Sequence, residues 1–99
     1  MFSLRFTSEA LASLREIESQ TAKVGLEKQI KKALGYLQIN PRHPSLQTHV
    51  FHSIENPFDP NDKVFEAYAQ NRTPGAYRIF WCYGPQKKEI TVLAMTSHP

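Results

Sequence analysis

Two residues beside predicted strands are the first candidates for chemistry. His98 belongs to "TVLAMTSHP" (91–99) and follows residues 90–95, whose weak alternation of apolar and polar residues predicts a strand covered on both faces. Arg78 stands near the start of "YRIFWCY" (77–83), an aromatic and β-branched segment that predicts another strand. Histidine exchanges protons near neutral pH, and the guanidinium fork of arginine binds two phosphate oxygens at once.

Further polar side chains lie on or beside the predicted strands. In "KVFEAYAQ" (63–70), Glu66 faces away from Phe65 and Ala67 if the strand is regular. A solvated or salt-bridged carboxylate is the alternative interpretation of Glu66. The other candidates are imidazole or cationic side chains in loops and strand starts, where ordinary exposure is the alternative: His43, His49, Arg72, Lys87 and Lys88.

Neither a metal site nor a reactive thiol is expected. His49 and His52 form H-x₂-H, but residues three apart on a strand point to opposite faces, which is poor ligand geometry. Cys82 is the single cysteine and lies in an apolar strand, where a small buried hydrophobe is the favoured role. We therefore expect no metal and no cofactor.

Composition predicts one domain over residues 1–99. The formal charge is +3, and the basic excess falls in residues 1–49. This bias permits a nucleic-acid or acidic protein partner, with a solvated helix face as the alternative. No segment approaches the ~18 apolar residues of a membrane span, and Arg5 and Glu9 interrupt any apolar run at the start, so we expect a cytoplasmic protein without membrane contact.

The periodicity predicts an α+β fold with the order β-α-α-β-β-β-β. "FSLRF" (2–6) alternates as a short strand, and the helix after it is capped by Thr7 or Ser8. In "LEKQIKKALGYLQIN" (26–40) the apolar residues form one helical stripe. Strands are predicted at 46–54, 63–70, 77–83 and 90–95, forming an antiparallel meander after the two-helix hairpin.

This order of elements, with "NPRHPSLQTH", "AYRIFWCYG" and a polar cluster closing the last strand, resembles the RelE/ParE family of bacterial toxins. The resemblance spans nearly the whole chain. It implies the toxin of a type II toxin–antitoxin pair, bound by a cognate antitoxin. The RelE-like branch cuts messenger RNA on the ribosome, whereas the ParE-like branch poisons DNA gyrase and needs no catalytic residues.

The resemblance also implies roles for individual residues. Arg78 would contact the scissile phosphate, and His98 would be the general acid. The lysines of the best-known RNA-cutting member are replaced here by Glu66 and Tyr68, so Glu66, His43 or His49 could be the base. Because its implied partner is an RNA phosphate, we expect Arg78 to contribute little to stability.

The leading hypothesis is a metal-independent, ribosome-dependent mRNA endonuclease whose partners are an antitoxin, mRNA and the ribosome. Arg72, Lys87, Lys88, His43 and His49 are the expected RNA contacts. The first alternative is a non-catalytic inhibitor acting through protein contact, either ParE-like or an inactive relative. The second is a plain RNA-binding module. The oligomeric state is left open, with a homodimer among the options.

Overall fold

A computed structural model describes residues 1–20, 24–71 and 73–97, and its element order confirms the predicted α+β fold. The predicted site residues Arg72 and His98 lie outside the described residues. In chain order the elements are β1 (Ser3–Phe6), α1 (Ser8–Ser19), α2 (Val24–Ile39), a 3₁₀ helix (Pro44–Leu46), β2 (His49–Phe51), β3 (Val64–Tyr68), β4 (Tyr77–Tyr83) and β5 (Glu89–Ser97).

The five strands form one sheet in the order β1-β5-β4-β3-β2. The neighbours from β2 to β5 pair antiparallel, as the predicted meander requires. β1 instead pairs parallel with β5, with Ser3 opposite Glu89 and Phe6 opposite Val92, which the sequence did not predict. The β4–β5 register shifts by one residue after Phe80, where the ladder contains a bulge.

Both helices cover the same face of the sheet. The apolar stripe predicted on α2 is buried there, with Ile30 and Leu37 fully inaccessible, and it belongs to one core with Ile79 and Trp81 of β4. The Thr7 hydroxyl oxygen caps α1 by accepting from the amide of Ala10 at 3.1 Å. The same hydroxyl donates to the Leu93 carbonyl at 2.8 Å, which ties the start of α1 to β5. In the described residues no helix has the length and apolar character needed to cross a bilayer.

The predicted strand at 46–54 is shorter in the structure, because the chain first makes the 3₁₀ helix. Pro44 lies in its first turn, where a proline needs no amide partner. His43 caps this turn by accepting the Ser45 amide at 3.1 Å, and Gln47 ends it in the left-handed region at φ 49°. Only His49–Phe51 then remain for pairing with β3.

Within the described residues no helix covers the opposite face of the sheet. Part of it is an apolar cluster of Val64, Phe80, Cys82 and Leu93, against which Phe51 and Ile54 pack. Ile54 belongs to the 52–63 connection, which is held by the buried side chain of Asn56. That amide donates to the Lys63 carbonyl at 3.2 Å and accepts the amides of Phe58 and Asp59 at 2.9 and 3.3 Å.

We expect Asn56→Ala to destabilise the protein by about 1–3 kcal/mol, because it leaves buried backbone groups without their partner. Asn61→Ala is the matched control in the same connection, since Asn61 is exposed and its side chain makes no hydrogen bond within the described residues. Urea unfolding of both variants measures the difference. Equal stability of the two variants would show that Asn56 does not hold the connection.

Candidate active site

The face of the sheet opposite the helices carries a buried carboxylate, that of Glu66. Phe65 and Ala67 pack into the core beneath the helices, so Glu66 between them points to the other face, as its strand position predicts. Glu66 lies opposite His49 in the β2–β3 register. Arg78 pairs with Tyr68, two residues along from Glu66, and therefore reaches it diagonally. Three neighbouring strands thus contribute one side chain each.

Glu66 is bound on both carboxylate oxygens. Oε2 forms an ion pair with Nη1 of Arg78, and Oε1 lies 2.5 Å from Nε2 of His49. The Glu66 side chain is 4% exposed and that of Arg78 13%, whereas His49 is 47% exposed. Glu66 and Arg78 are therefore the largely buried members of the cluster, and the His49 imidazole is its accessible side chain.

The backbone fixes the His49 ring. Its Nδ1 lies 3.0 Å from the carbonyl oxygen of Gln47, the residue in the left-handed conformation that ends the 3₁₀ helix. Both ring nitrogens therefore face acceptors. A protonated imidazole donates to Gln47 through Nδ1 and to Glu66 through Nε2, and in that form Glu66 lies between two cations.

Arg78 has a buried donor that is not used. Its Nε is buried and has no hydrogen-bond partner in the part of the chain that the structure describes. The guanidinium carbon lies 5.1 Å from the centre of the Phe80 ring, which places its plane next to the apolar cluster. A donor that is already dehydrated and unpaired gains more from an added anion than a solvated one does.

A cleft adjoins the cluster on the side of β2 and β3. The Tyr68 ring lies 5.8 Å from that of His49. Tyr68 also lines a cleft of about 290 Å³, together with Gln47, Gln70, Asn71 and Ala76. His49, Glu66 and Arg78 do not line this cleft, and Tyr68 is the residue that connects it to the cluster.

The structure does not bring every predicted site residue to this cluster. His43 has a structural role, since it caps the 3₁₀ helix and stacks on Tyr36 with ring centres 4.0 Å apart. Lys87 and Lys88 lie in the β4–β5 hairpin, at the end of β4 away from Arg78. Arg78 and the last residue of β4 are about five strand residues apart, or roughly 17 Å. Their contact with RNA stays a prediction.

The structure gives the Arg78 guanidinium a protein partner in Glu66, so a contribution of Arg78 to stability is now the expectation. The sequence contained part of the information needed to predict this ion pair, since an opposite charge on the preceding strand favours such a pair. The sequence did not supply the register that makes Glu66 and Arg78 diagonal neighbours. The contact of His49 with Glu66 was missed for the same reason, although each residue was singled out.

Cys82 is fully buried within the apolar cluster. Burial, with a smaller contribution from the charge of Asp62, raises the pKa of the thiol to about 11. The thiolate that a nucleophile needs is therefore scarce at neutral pH. Among the described residues, no group of three or more His, Cys, Asp or Glu side chains is placed to hold a metal ion.

The likeness to RelE/ParE toxins is confirmed for the fold. The YoeB/ParE toxin from Agrobacterium tumefaciens is 10% identical over all of both chains, with a TM-score of 0.67. The toxin–antitoxin complex RelBE from E. coli matches at 15% identity and a TM-score of 0.64, covering 100% of this chain and 99% of the other. The archaeal RelE–RelB complex from Pyrococcus horikoshii matches at 12% and 0.64, covering 97% and 93%.

No protein-family model matches the chain, and a comparison with curated proteins finds no significant relative. At 10–15% identity the solved structures establish that this chain has the RelE/ParE toxin fold. The chemistry has to be argued from the side chains of this protein.

We expect Arg78→Ala to destabilise the protein by about 3–5 kcal/mol, because it removes the arginine that pairs with the buried carboxylate of Glu66. The double variant Glu66→Leu/Arg78→Met removes both charges and should recover most of that loss. Chemical denaturation of the wild type, the single variant and the double variant measures this coupling. A single variant as stable as the wild type would show that the ion pair contributes nothing.

We expect Cys82 to resist alkylation by iodoacetamide at pH 8 in the folded protein and to react once denatured. Since the folded pKa is raised to about 11 from an ordinary value of 9.0, the unfolded thiol ionises first. Folding stability from this group is therefore full below pH 9 and falls as the pH rises toward 11. Mass spectrometry of the alkylated fraction with and without urea checks the reactivity. Rapid labelling of the folded chain would contradict the burial of the thiol.

Proposed function

We propose that this protein is the toxin of a type II toxin–antitoxin pair and cleaves messenger RNA on the ribosome without a metal ion. The observation that carries the proposal is the placement of Glu66, Arg78 and His49 together on the helix-free face of a RelE/ParE-type sheet. A carboxylate, an arginine and a histidine are the base, the phosphate ligand and the proton carrier that such a reaction requires.

The reaction needs no group from outside the protein and the RNA. The 2′-oxygen forms a bond to the neighbouring phosphorus while the bond from phosphorus to the 5′-oxygen breaks. A base takes the proton of the 2′-hydroxyl, and an acid gives a proton to the leaving 5′-oxygen. The products are a 2′,3′-cyclic phosphate and a free 5′-hydroxyl.

The resting ion pair supplies both the cation and the base. We assign Arg78 to the scissile phosphate, which it can meet through the unpaired Nε and by exchanging Glu66 for a phosphate oxygen. That exchange frees Oε2 of Glu66 to accept the proton of the 2′-hydroxyl. Arg78 then stabilises the negative charge that develops on the phosphorane oxygens.

We assign the general acid to His98, as the family resemblance implies. Ser97 at the end of β5 pairs with Tyr77, the neighbour of Arg78, and His98 is the next residue in the sequence. His49 is the second candidate, because its exposed imidazole touches Glu66 directly. Variants at these two positions separate the two assignments.

The partners follow from the same proposal. Two of the similar structures are complexes of a RelE toxin with its RelB antitoxin. By analogy we propose a cognate antitoxin for this protein, together with mRNA and the ribosome as targets in the cytoplasm. The basic excess of +3 suits an RNA partner.

One observation favours a non-catalytic inhibitor as the second candidate. Both oxygens of Glu66 are occupied and its side chain is 4% exposed, so the cluster could serve stability alone. An inhibitor of the gyrase-directed type would use the fold for protein contact and keep the ion pair closed. This candidate predicts growth arrest with intact mRNA.

We expect induction of the protein to arrest growth and to produce mRNA cuts that primer extension maps. Glu66→Gln and Arg78→Lys keep the shape and part of the hydrogen bonding, and each should lower cleavage by at least ~10²-fold because base or cation is lost. Arg15→Lys is the matched control, since Arg15 is exposed on α1. This variant should cleave mRNA at the wild-type rate. Thermal melting verifies that each variant is folded.

His98→Gln and His49→Gln identify the acid in the same assay. Loss of cleavage in His98→Gln alone supports the assignment to His98, whereas loss in His49→Gln alone transfers the role to His49. Growth arrest with intact mRNA and blocked DNA supercoiling would move the protein to the inhibitor class. RNA binding without cleavage or arrest would identify a binding module.

A further inference from the structure

The side chain of Gln70 connects α2 to the start of β4. Its Oε1 accepts the backbone amide of Tyr77 at 3.0 Å, and its Nε2 donates to Oε1 of Gln29 at 2.7 Å. Gln29 lies on α2, Tyr77 is the first residue of β4, and Gln70 follows the end of β3. One amide group therefore ties the helix layer to the strand that carries Arg78.

Hydrogen-bond chemistry fixes the orientation of this amide. A backbone N–H can only donate, so the oxygen of Gln70 has to face Tyr77. The NH₂ group of Gln70 then faces Gln29, whose own oxygen has to accept. Both halves of the Gln70 amide are therefore used, and an apolar side chain of similar length would lose both bonds.

The β3–β4 ladder ends next to Tyr77. Its last pair is Tyr68 with Arg78, so Arg78 lies where paired strands open most readily. Beyond that pair, the Tyr77 carbonyl accepts the amides of Ala69 and Gln70 at 3.0 and 3.3 Å. The acceptor for the Tyr77 amide is the Gln70 side chain. This side chain therefore extends the pairing of the two strands by one residue past Arg78.

The connection between β3 and β4 is long for a hairpin. It comprises residues 69–76, whereas hairpin loops commonly have roughly two to five residues. Gly75 adopts a left-handed conformation at φ 68°, and the Ala76 amide donates to the Thr73 carbonyl at 3.0 Å, so this part turns back on itself. A long connection restrains the ends of its strands weakly, and the Gln70 amide adds a restraint at its base.

Two groups of the proposed reaction depend on the position of Tyr77. Arg78, which is assigned to the scissile phosphate, is the next residue. On the neighbouring strand Tyr77 pairs with Ser97, and the assigned acid His98 follows Ser97 in the sequence. A displacement of a reacting group by about 1 Å can lower a rate by about 10²-fold. A restraint on the Tyr77 backbone therefore bears directly on the rate of cleavage.

We propose that Gln70 is a positioning residue for RNA cleavage, which holds the start of β4 against α2 so that Arg78 meets the scissile phosphate. The inference rests on the proposed nuclease function. Gln70 acts through the backbone of Tyr77 and not on the reacting atoms. Its loss therefore lowers the maximal rate of cleavage, whereas the affinity for RNA depends on other contacts and stays the same.

Single-turnover cleavage of ribosome-bound mRNA by the purified protein measures the maximal rate and the half-saturating protein concentration. Gln70→Met should lower the maximal rate roughly 10- to 100-fold and leave the half-saturating concentration within ~2-fold of the wild type. Gln38→Met is the matched control, a half-buried glutamine of α2 whose side chain makes no hydrogen bond within the described residues. The control should cleave at the wild-type rate, and an unchanged rate in Gln70→Met would overturn the proposal.

Conservative variants separate positioning from general stability. Gln70→Glu keeps an acceptor for Tyr77, and the Gln29 amide can rotate to donate to the carboxylate. Gln29→Glu keeps the acceptor for Nε2 of Gln70. Both variants should retain most of the maximal rate, whereas Gln29→Leu removes the tether to α2 and should lower the rate several-fold. Rates that follow the melting temperatures of the variants instead of these hydrogen bonds would overturn the positioning role.

A spectroscopic measurement tests the same contact without cleavage. In heteronuclear NMR, Gln70→Met should shift the Nε–H signal of Arg78 and speed the hydrogen exchange of the Tyr77 amide, and Gln38→Met should do neither. If both signals are unchanged, Gln70 does not hold Arg78. A wild type that cleaves no mRNA rejects the nuclease, while the spectra still decide whether Gln70 holds Arg78. A cleaving wild type matched by Gln70→Met rejects the positioning role alone.

Discussion

A buried carboxylate has to be neutralised by its neighbours, and that requirement shapes the open face of this sheet. Removing an unpaired charge from water costs several kcal/mol, and Glu66 is paired with Arg78 and in contact with His49. These partners come from the strands on either side, and they meet Glu66 only in the observed register. The helices cover the other face, which leaves this cluster accessible through the imidazole.

Sequence patterns predicted those parts of the fold that depend on local periodicity. The apolar stripe of α2 and the bounds of β4 are as predicted, because burial at fixed spacing leaves a direct signal. The β2 strand was predicted too long, since a capped 3₁₀ turn uses the residues before His49. The contacts of Glu66 depend on the register across two connections, residues 52–63 before β3 and residues 69–76 after it, and no local pattern encodes that register.

The fold and the chemistry place separate demands on the same strand. β4 buries Ile79 and Trp81 under the helices, and Phe80 and Cys82 on the other face. Arg78 near its start belongs to the charged cluster, and Tyr83 at its end is exposed. A strand buried on both faces keeps these two positions at a fixed distance from each other.

The parallel pairing of β1 with β5 has a consequence for synthesis of the chain. Thr7 bonds to Leu93, 86 residues away, and β1 has no other strand partner in the described sheet. The apolar side chains of β1 therefore cannot pack in their native positions until β5 has left the ribosome; these are Phe2, Leu4 and Phe6. Because β5 lies between β1 and β4, neither strand can complete its pairing until β5 has been synthesised.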